Sequence, residues 1–279
     1  MMKDELTVIL PIYYHTDVLQ FMEAFRSILS QTRLPEEIFI VSDGPVSPEL
    51  NETIEDAKCL IEQNKQAIAF TVYRLPEHAG LGEALRQASL FAKGKYVARM
   101  DSDDICMPDR FEKQMKCFER NPQLSVVGGQ IAEFDGEVTN VTGRRQVPLQ
   151  HDDIAAYMRS RNAMNHVTTI MKREDLLAAG NYQPLNWLED YYLWVRMIQQ
   201  GFLFQNVPDD VVLVRAGKAQ TDRRGGWDYF YYEHKLFRYM RSQHFISWWR
   251  YVMNLVERGC VRLLLPLSMR HWFYRFFLR

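Results

Sequence analysis

The chain has 279 residues and a mass of 33.0 kDa, with 47% hydrophobic and 25% charged residues; this globular composition, long enough for a sizeable core, excludes disorder and collagen-like folds. Its net charge of −1, from 34 basic and 35 acidic residues, argues against a general nucleic-acid binder. The four cysteines, Cys59, Cys106, Cys117 and Cys260, show no metal spacing and no disulfide framework, and read as reduced cytosolic thiols.

The opening Met1-Met2-Lys3-Asp4-Glu5 carries acids where a signal peptide carries bases, so no signal peptide is expected. Leu6–Tyr13 is a short apolar run that predicts a strand, and Asp17–Ser30 carries the apolar spacing of a helix. Glu37–Ser42 predicts a second strand, closed by the turn-former Asp43-Gly44-Pro45. Leu50–Asn64 reads as helix, Ala67–Arg74 as strand, Leu81–Ala92 as helix and Tyr96–Met100 as strand. Four strands separated by helices imply right-handed βαβ units and a mainly parallel central sheet flanked by helices, a Rossmann-like α/β fold. Such sheets bind ligands beyond the carboxyl ends of their strands.

The middle of the chain is less regular. Pro108–Arg120 predicts a helix, Leu124–Phe134 a strand, with a short strand before Pro148 and a helix over His151–Arg159. His166–Met171 reads as strand, Trp187–Gln200 as an aromatic-rich helix and Val211–Val214 as a last strand. From Trp227 onward the pattern is helical. Lys235–Arg279 holds nine basic residues against the single acid Glu257, a charge of +8 that leaves −9 for the rest. Eleven of the 36 aromatics lie there too. Phe245, Trp249, Val252, Val256 and Leu263 fall within roughly 60° of one another on a helical wheel, and Arg250, Glu257, Arg258 and Arg262 lie away from them. A basic amphipathic tail of this kind suits an anionic membrane surface, and a helix packed on the body or at an oligomer interface has the same pattern. No apolar stretch reaches the roughly 18–20 residues of a spanning helix. The expected division is therefore 1–226, a catalytic body, and 227–279, a helical, basic-aromatic, membrane-associating tail.

Candidate chemistry sits after the strands. Asp101-Ser102-Asp103-Asp104 crowds three carboxylates into four residues, which a hard cation such as Mg²⁺ or Mn²⁺ would relieve; a solvated acidic turn has the same composition. Glu112 falls at the twelfth position of an EF-hand loop, but Ile105 and Cys106 stand where an oxygen ligand and a glycine are needed, so that reading fails. Glu189-Asp190 is a second acidic pair among Trp187, Tyr191, Tyr192 and Trp194. Apolar neighbours raise a carboxyl pKa, which suits a general base, and a helix-start carboxylate fits the pair as well. His166 is a candidate metal ligand or phosphate contact, or a structural histidine. Gly80-x-Gly82 is a turn that lets backbone amides approach a phosphate, with Arg86 one turn on. Arg215, Arg223 and Arg224 belong to a polar, glycine-bearing stretch of the kind that closes over a diphosphate, and many solvated loops have the same composition.

The order of TVILPIYY, IVSDGP, AGLGEALRQA, KYVARMDSDDICMPDRFEKQ, HVTTIMKREDLLAAGNY and LEDYYLWVRMIQQG resembles glycosyltransferase family 2, inverting enzymes with a GT-A fold, over roughly residues 6–215. The resemblance implies that Pro11–Tyr13 and Asp43 hold the nucleotide base, with Ser42 standing where many members carry a first Asp. It implies that Asp101 and Asp103 form the DxD motif, reaching the donor diphosphate through Mn²⁺ or Mg²⁺, with Asp104 beside them. Asp190 would be the catalytic base, taking a proton from an acceptor hydroxyl as it displaces UDP with inversion. The expected enzyme is a metal-dependent hexosyltransferase of the bacterial surface-polysaccharide type. It would use a UDP-sugar and a lipid-linked saccharide in O-antigen or capsule assembly, peripheral on the cytosolic face of the inner membrane. A sugar nucleotidyltransferase should show a glycine-rich basic loop where Pro11-Ile12-Tyr13-Tyr14 stands. A non-catalytic scaffold should lack the acids.

Overall fold

The computed structural model describes residues 5–216 and 226–264. Strands β1 (Leu6–Ile12), β2 (Glu37–Ser42) and β4 (Tyr96–Arg99) are buried along their whole length, because helices cover both faces of the sheet they form. Helices α1 (Val18–Leu29), α2 (Pro48–Gln63) and α3 (Leu81–Phe91) make the crossovers, with β3 (Ala69–Arg74) on the edge. Asp17 caps α1 by accepting from the amides of Leu19 and Gln20, both at 3.0 Å. Ser47 caps α2 from Leu50 at 3.1 Å, with Pro48 in the first position. In α2 the stripe Leu50, Ile54, Ala57 and Ile61 is the buried face.

The nine-stranded sheet has the order β3-β2-β1-β4-β8-β6-β9-β5, with β7 paired to the second half of β6 off this path. Here β5 is Ile105–Cys106, β6 Leu124–Phe134, β7 Val141–Arg145, β8 Ile170–Lys172 and β9 Leu203–Arg215. The first four strands are parallel, as expected. Beyond β4 the sheet is mixed: β8 is antiparallel to β4 and β6, while β9 runs parallel to β6. Alternate side chains of the parallel strands supply two cores. Val8, Leu10, Ile38 and Ile40 meet α1, α2 and helix α4 (Arg110–Arg120). Ile9, Phe39 and Val41 meet α3 and the helices α5 (His151–Tyr157), α6 (Arg173–Ala178) and α7 (Glu189–Gln199). Helix α8 (Trp227–Ser242) puts Leu236, Phe237 and Met240 into that second core, and α9 (Trp248–Gly259) lies against it through Tyr251 and Leu255. Among the described residues no helix is long and apolar enough to cross a membrane.

Strand β5 and helix α6 have no counterpart in the sequence pattern, and three expected elements sit differently. Residues His166–Thr168 form a 3-10 turn, and the strand begins only at Ile170. The hydroxyls of Thr168 and Thr169 donate to the carbonyls of Asn165 and His166, at 2.7 and 2.9 Å, local bonds that compete with a ladder. Strand β9 starts eight residues before the expected Val211; register shifts opposite Gly128–Ile131 and the run Pro208-Asp209-Asp210 hide its pattern. Helix α7 starts at Glu189 rather than Trp187, whose left-handed φ of 65° is incompatible with a helix.

Candidate active site

The acidic turn leaves the sheet at the carboxyl end of β4 and is fastened at its other end, where Ile105 and Cys106 of β5 pair with Leu213 and Val212 of β9. This fastening gathers Asp101, Asp103 and Asp104 so that ligand oxygens of all three lie within 4.8 Å of one another. Arg99, buried at the last position of β4, forks onto Asp101, with Nη1 donating to Oδ2 at 2.8 Å and Nη2 to Oδ1. Asp104 is buried and accepts the Arg215 amide at 2.9 Å, while the Arg215 side chain donates to the Asp103 carbonyl at 3.2 Å and pairs with Glu23. Ser102 lies half-buried in the same turn. Among the described residues no side-chain donor reaches the Asp103 carboxylate. Loss of solvent around the turn, and then the charge of Asp101, push Asp103 to about 6, although the residue keeps an exposed edge. Burial, and then Asp101 and Asp103, push Asp104 up as well. Three crowded oxygen donors whose ionisation opposes itself fit a hard divalent cation.

A second junction joins the ends of β2 and β3. Asp43, buried just past β2, accepts the Ala79 amide at 2.7 Å and the Gly80 amide at 3.0 Å, and His78 Nδ1 lies 2.8 Å from its Oδ2. The carboxylate thus clasps the loop that starts α3. The Gly80 amide, expected to face a phosphate, is directed at Asp43, and Arg86 is held by Glu83 at 2.6 Å. Beyond β1, Pro11 is part of the buried strand, while Tyr13 and Tyr14 are exposed and meet His15 edge-on.

The third group stands at the start of α7. Asp190 accepts its neighbour's amide, Tyr191 N–H, on Oδ1 and Asn162 Nδ2 on Oδ2, both at 2.7 Å. Burial raises its pKa, while these two donors and Arg99 pull it down. Burial, and then Asp190, push Glu189 up to about 7. The first turn of α3 packs on Glu189, since a Cβ on Gly82 would lie 3.3 Å from the Glu189 Cβ. His166 is engaged by the Tyr182 hydroxyl at 2.9 Å, and burial followed by the Arg99 charge lowers it well below 6.5, so it is neutral.

Arg99 connects these groups: its charge is felt by Asp101, Asp103 and Asp104 on one side and by Glu189, Asp190, His166 and Tyr182 on the other. The fold therefore brings the DxD acids and the Glu189-Asp190 pair into one electrostatic neighbourhood. Arg223 and Arg224 lie outside the described residues. Sequence reading misses Arg99, Asn162 and Tyr182. Arg99 is a single cation at a strand end with no pattern around it, although its place two residues before Asp101 is a signal in hindsight. Asn162 and Tyr182 come from irregular segments whose partners are distant in the chain.

The sequence profile described as glycosyl transferase family 2 matches residues 7–179. The amylovoran biosynthesis glycosyltransferase AmsE of Erwinia amylovora is 30% identical over 268 residues, covering 96% of this chain and 97% of that protein. The UDP-Gal:alpha-D-GlcNAc-diphosphoundecaprenol beta-1,3-galactosyltransferase of Escherichia coli is 29% identical, covering 96% and 94%. Among solved structures, the mannosyltransferase PcManGT from Pyrobaculum calidifontis in complex with GDP-Man and Mn²⁺ superposes with a TM-score of 0.62 at 16% identity, covering 95% of this chain and 77% of that one.

Proposed function

The chain belongs to glycosyltransferase family 2 and has the GT-A fold, and on that premise we propose that it transfers a hexose or N-acetylhexosamine from a UDP-sugar to a hydroxyl of a lipid-linked saccharide, with inversion, at the cytosolic face of the inner membrane. The observation that carries this reading is the placement of Asp190: a carboxylate fixed on both oxygens, next in the chain to Glu189, which feels Asp101 of the three-carboxylate cluster. Two relatives support it further, one named for polysaccharide biosynthesis and one for transfer from UDP-Gal to a diphosphoundecaprenol-linked sugar.

In this reading the base-binding residues are Pro11, Tyr13 and Asp43, with Asp43 also clasping the Gly80 loop. Asp101 and Asp103 are the residues to hold Mn²⁺ or Mg²⁺, and Asp103 carries the freer carboxylate. A divalent ion there supplies charge neutralisation to the leaving diphosphate. Arg215, bonded to both the Asp103 carbonyl and the Asp104 carboxylate, sets the wall of that site. Asp190 accepts the proton of the acceptor hydroxyl as its oxygen attacks the anomeric carbon and the bond to UDP breaks. Asn162 keeps the carboxylate oriented. A single displacement needs one base, so Glu189, with its pKa near neutrality, remains an electrostatic neighbour.

The test is UDP release and product formation with a panel of UDP-sugars and a diphosphate-lipid-linked saccharide, with Mn²⁺ or EDTA. Transfer dependent on the metal and on both Asp103 and Asp190 is expected. Transfer undiminished in Asp190→Ala would remove the base assignment, and an absence of nucleotide binding would remove the donor assignment.

A further inference from the structure

Helix α9 leaves an apolar face outward. At 100° per residue Trp249, Met253 and Val256 span roughly 60°, and Asn254 and Arg258 lie on the opposite side with Tyr251 and Leu255. That opposite side faces the protein, and its two polar residues are its most buried: Asn254 is 1% and Arg258 7% exposed, whereas Trp249 is 72% and Val256 60% exposed. The inward polar groups are satisfied. Asn254 Nδ2 donates to the Arg159 carbonyl and Arg258 Nη2 to the Ser160 carbonyl, each at 2.9 Å. Glu233 of α8 takes both Arg258, at 3.5 Å, and Arg262, at 3.0 Å. Two of the tail's cations are therefore spent inside the molecule, and the outward face is apolar.

We infer that this outward face of α9, with the arginine-lined cleft beside it, is the surface by which the protein docks on an anionic lipid bilayer. The cleft, of about 330 Å³, is lined by Ala156, Arg159, Phe245, Ile246, Ser247 and Arg250, with no acidic side chain among them. Among the described residues neither Arg159 nor Arg250 pairs with an acid. The acids of α5, Asp152 and Asp153, stand at its other end. Trp248 and Trp249 are exposed and meet edge-on at 4.8 Å between ring centres. Indole rings at an apolar face with arginines at its flank match the boundary between acyl chains and phosphate headgroups. A second copy of the chain is a poorer occupant: a two-fold contact through this face would set unpaired arginines of both copies along one interface.

The placement also suits the proposed acceptor. Residues 159, 160 and 161 are each bonded to α9, through Asn254, Arg258 and Glu257, and the next residue, Asn162, holds Asp190. Bilayer contact at α9 thus sets the acceptor side of the active site near the surface from which a lipid-linked saccharide extends. The inference deepens the reading of a lipid-linked acceptor and rests on it.

The test uses the full chain with phosphatidylglycerol–phosphatidylcholine vesicles, pure phosphatidylcholine vesicles and a soluble acceptor lacking the long lipid. Wild type is expected to sediment with the mixed vesicles. Trp249→Ser with Met253→Ser should lower binding about tenfold, and Arg159→Glu with Arg250→Glu should abolish the preference for the anionic lipid, about fivefold per arginine. Transfer to the soluble acceptor is unchanged by the Trp249 and Met253 substitutions. Vesicle binding that is absent in wild type, or retained in both variants, overturns the assignment of this face. So does a dimer in solution that the Trp249 and Met253 substitutions dissociate without loss of vesicle binding. Wild type that fails to transfer to the diphosphate-lipid-linked saccharide carried in the mixed vesicles overturns the acceptor reading instead, and vesicle binding reports separately.

Discussion

Asp190 has its reactivity set by opposing influences that can be removed one at a time. Asn162 stabilises the ionised form, so Asn162→Ala should raise the Asp190 pKa and move the acidic limb of the kcat–pH profile to higher pH. Asp190→Asn keeps the shape without the charge and should cost about 10²–10⁴ in kcat with little change in melting temperature. Glu189 makes a different prediction, about stability. Its folded pKa of about 7 exceeds the ordinary 4.5, so between those values the native state holds a proton that the unfolded chain has lost. Stability therefore falls as pH rises from about 4.5 to 7 and levels off above. Thermal melts in EDTA across that window should show the fall, and Glu189→Gln should flatten it and raise the melting temperature at pH 8. An unaltered slope would remove Glu189 as the source.

At the scale of elements, two junctions do most to hold the active face together. Gly44 follows Asp43 with a left-handed φ of 85°, and a Cβ there would lie 2.8 Å from the His78 amide nitrogen. Gly44→Ala should therefore push the β3–α3 loop away from Asp43, costing about 1–3 kcal/mol in denaturant unfolding and weakening nucleotide affinity in the same variant. The other junction is α8 with α9. Glu233 is buried between Arg258 and Arg262, and Glu233→Ala would leave two buried guanidinium groups without their counter-charge, at about 3–5 kcal/mol. A variant that melts like wild type would show that the arginines find other acceptors.

The whole molecule shows which parts of a chain announce themselves. Through residue 100 each strand is a short run, buried in β1, β2 and β4 and half-exposed in the edge strand β3, each helix carries an apolar stripe, and the turn residues between them are explicit, so the parallel half of the sheet and the acids beyond it can be read from the sequence. The other half is built by pairings of distant segments. Strand β9 is disguised by its bulges, and His166–Thr168 folds back on its own hydroxyls. In the tail, the helical wheel groups Trp249, Val252 and Val256 as the structure does, but Phe245 precedes the helix and Leu263 lies in a π-helical turn, and only Glu233 and the carbonyls of Arg159 and Ser160 bring the polar residues inward. Arg99 and Asn162 are invisible for the same reason: each matters through partners supplied by the fold.

The run of residues 159 to 162 has a practical consequence for anyone wishing to trim the protein into a tractable fragment. Cutting after Ser242 removes the three side chains of α9 that hold residues 159 to 161, leaving Arg145 on the Asn162 carbonyl, so the base should lose part of its alignment even for a substrate free in solution: kcat falls while KM for the nucleotide sugar changes little. Cutting after Leu264 spares those side chains and should spare turnover. On the docking proposed for α9, the same linkage would act as a safeguard. A copy clipped from that helix by a protease would leave the bilayer already disarmed.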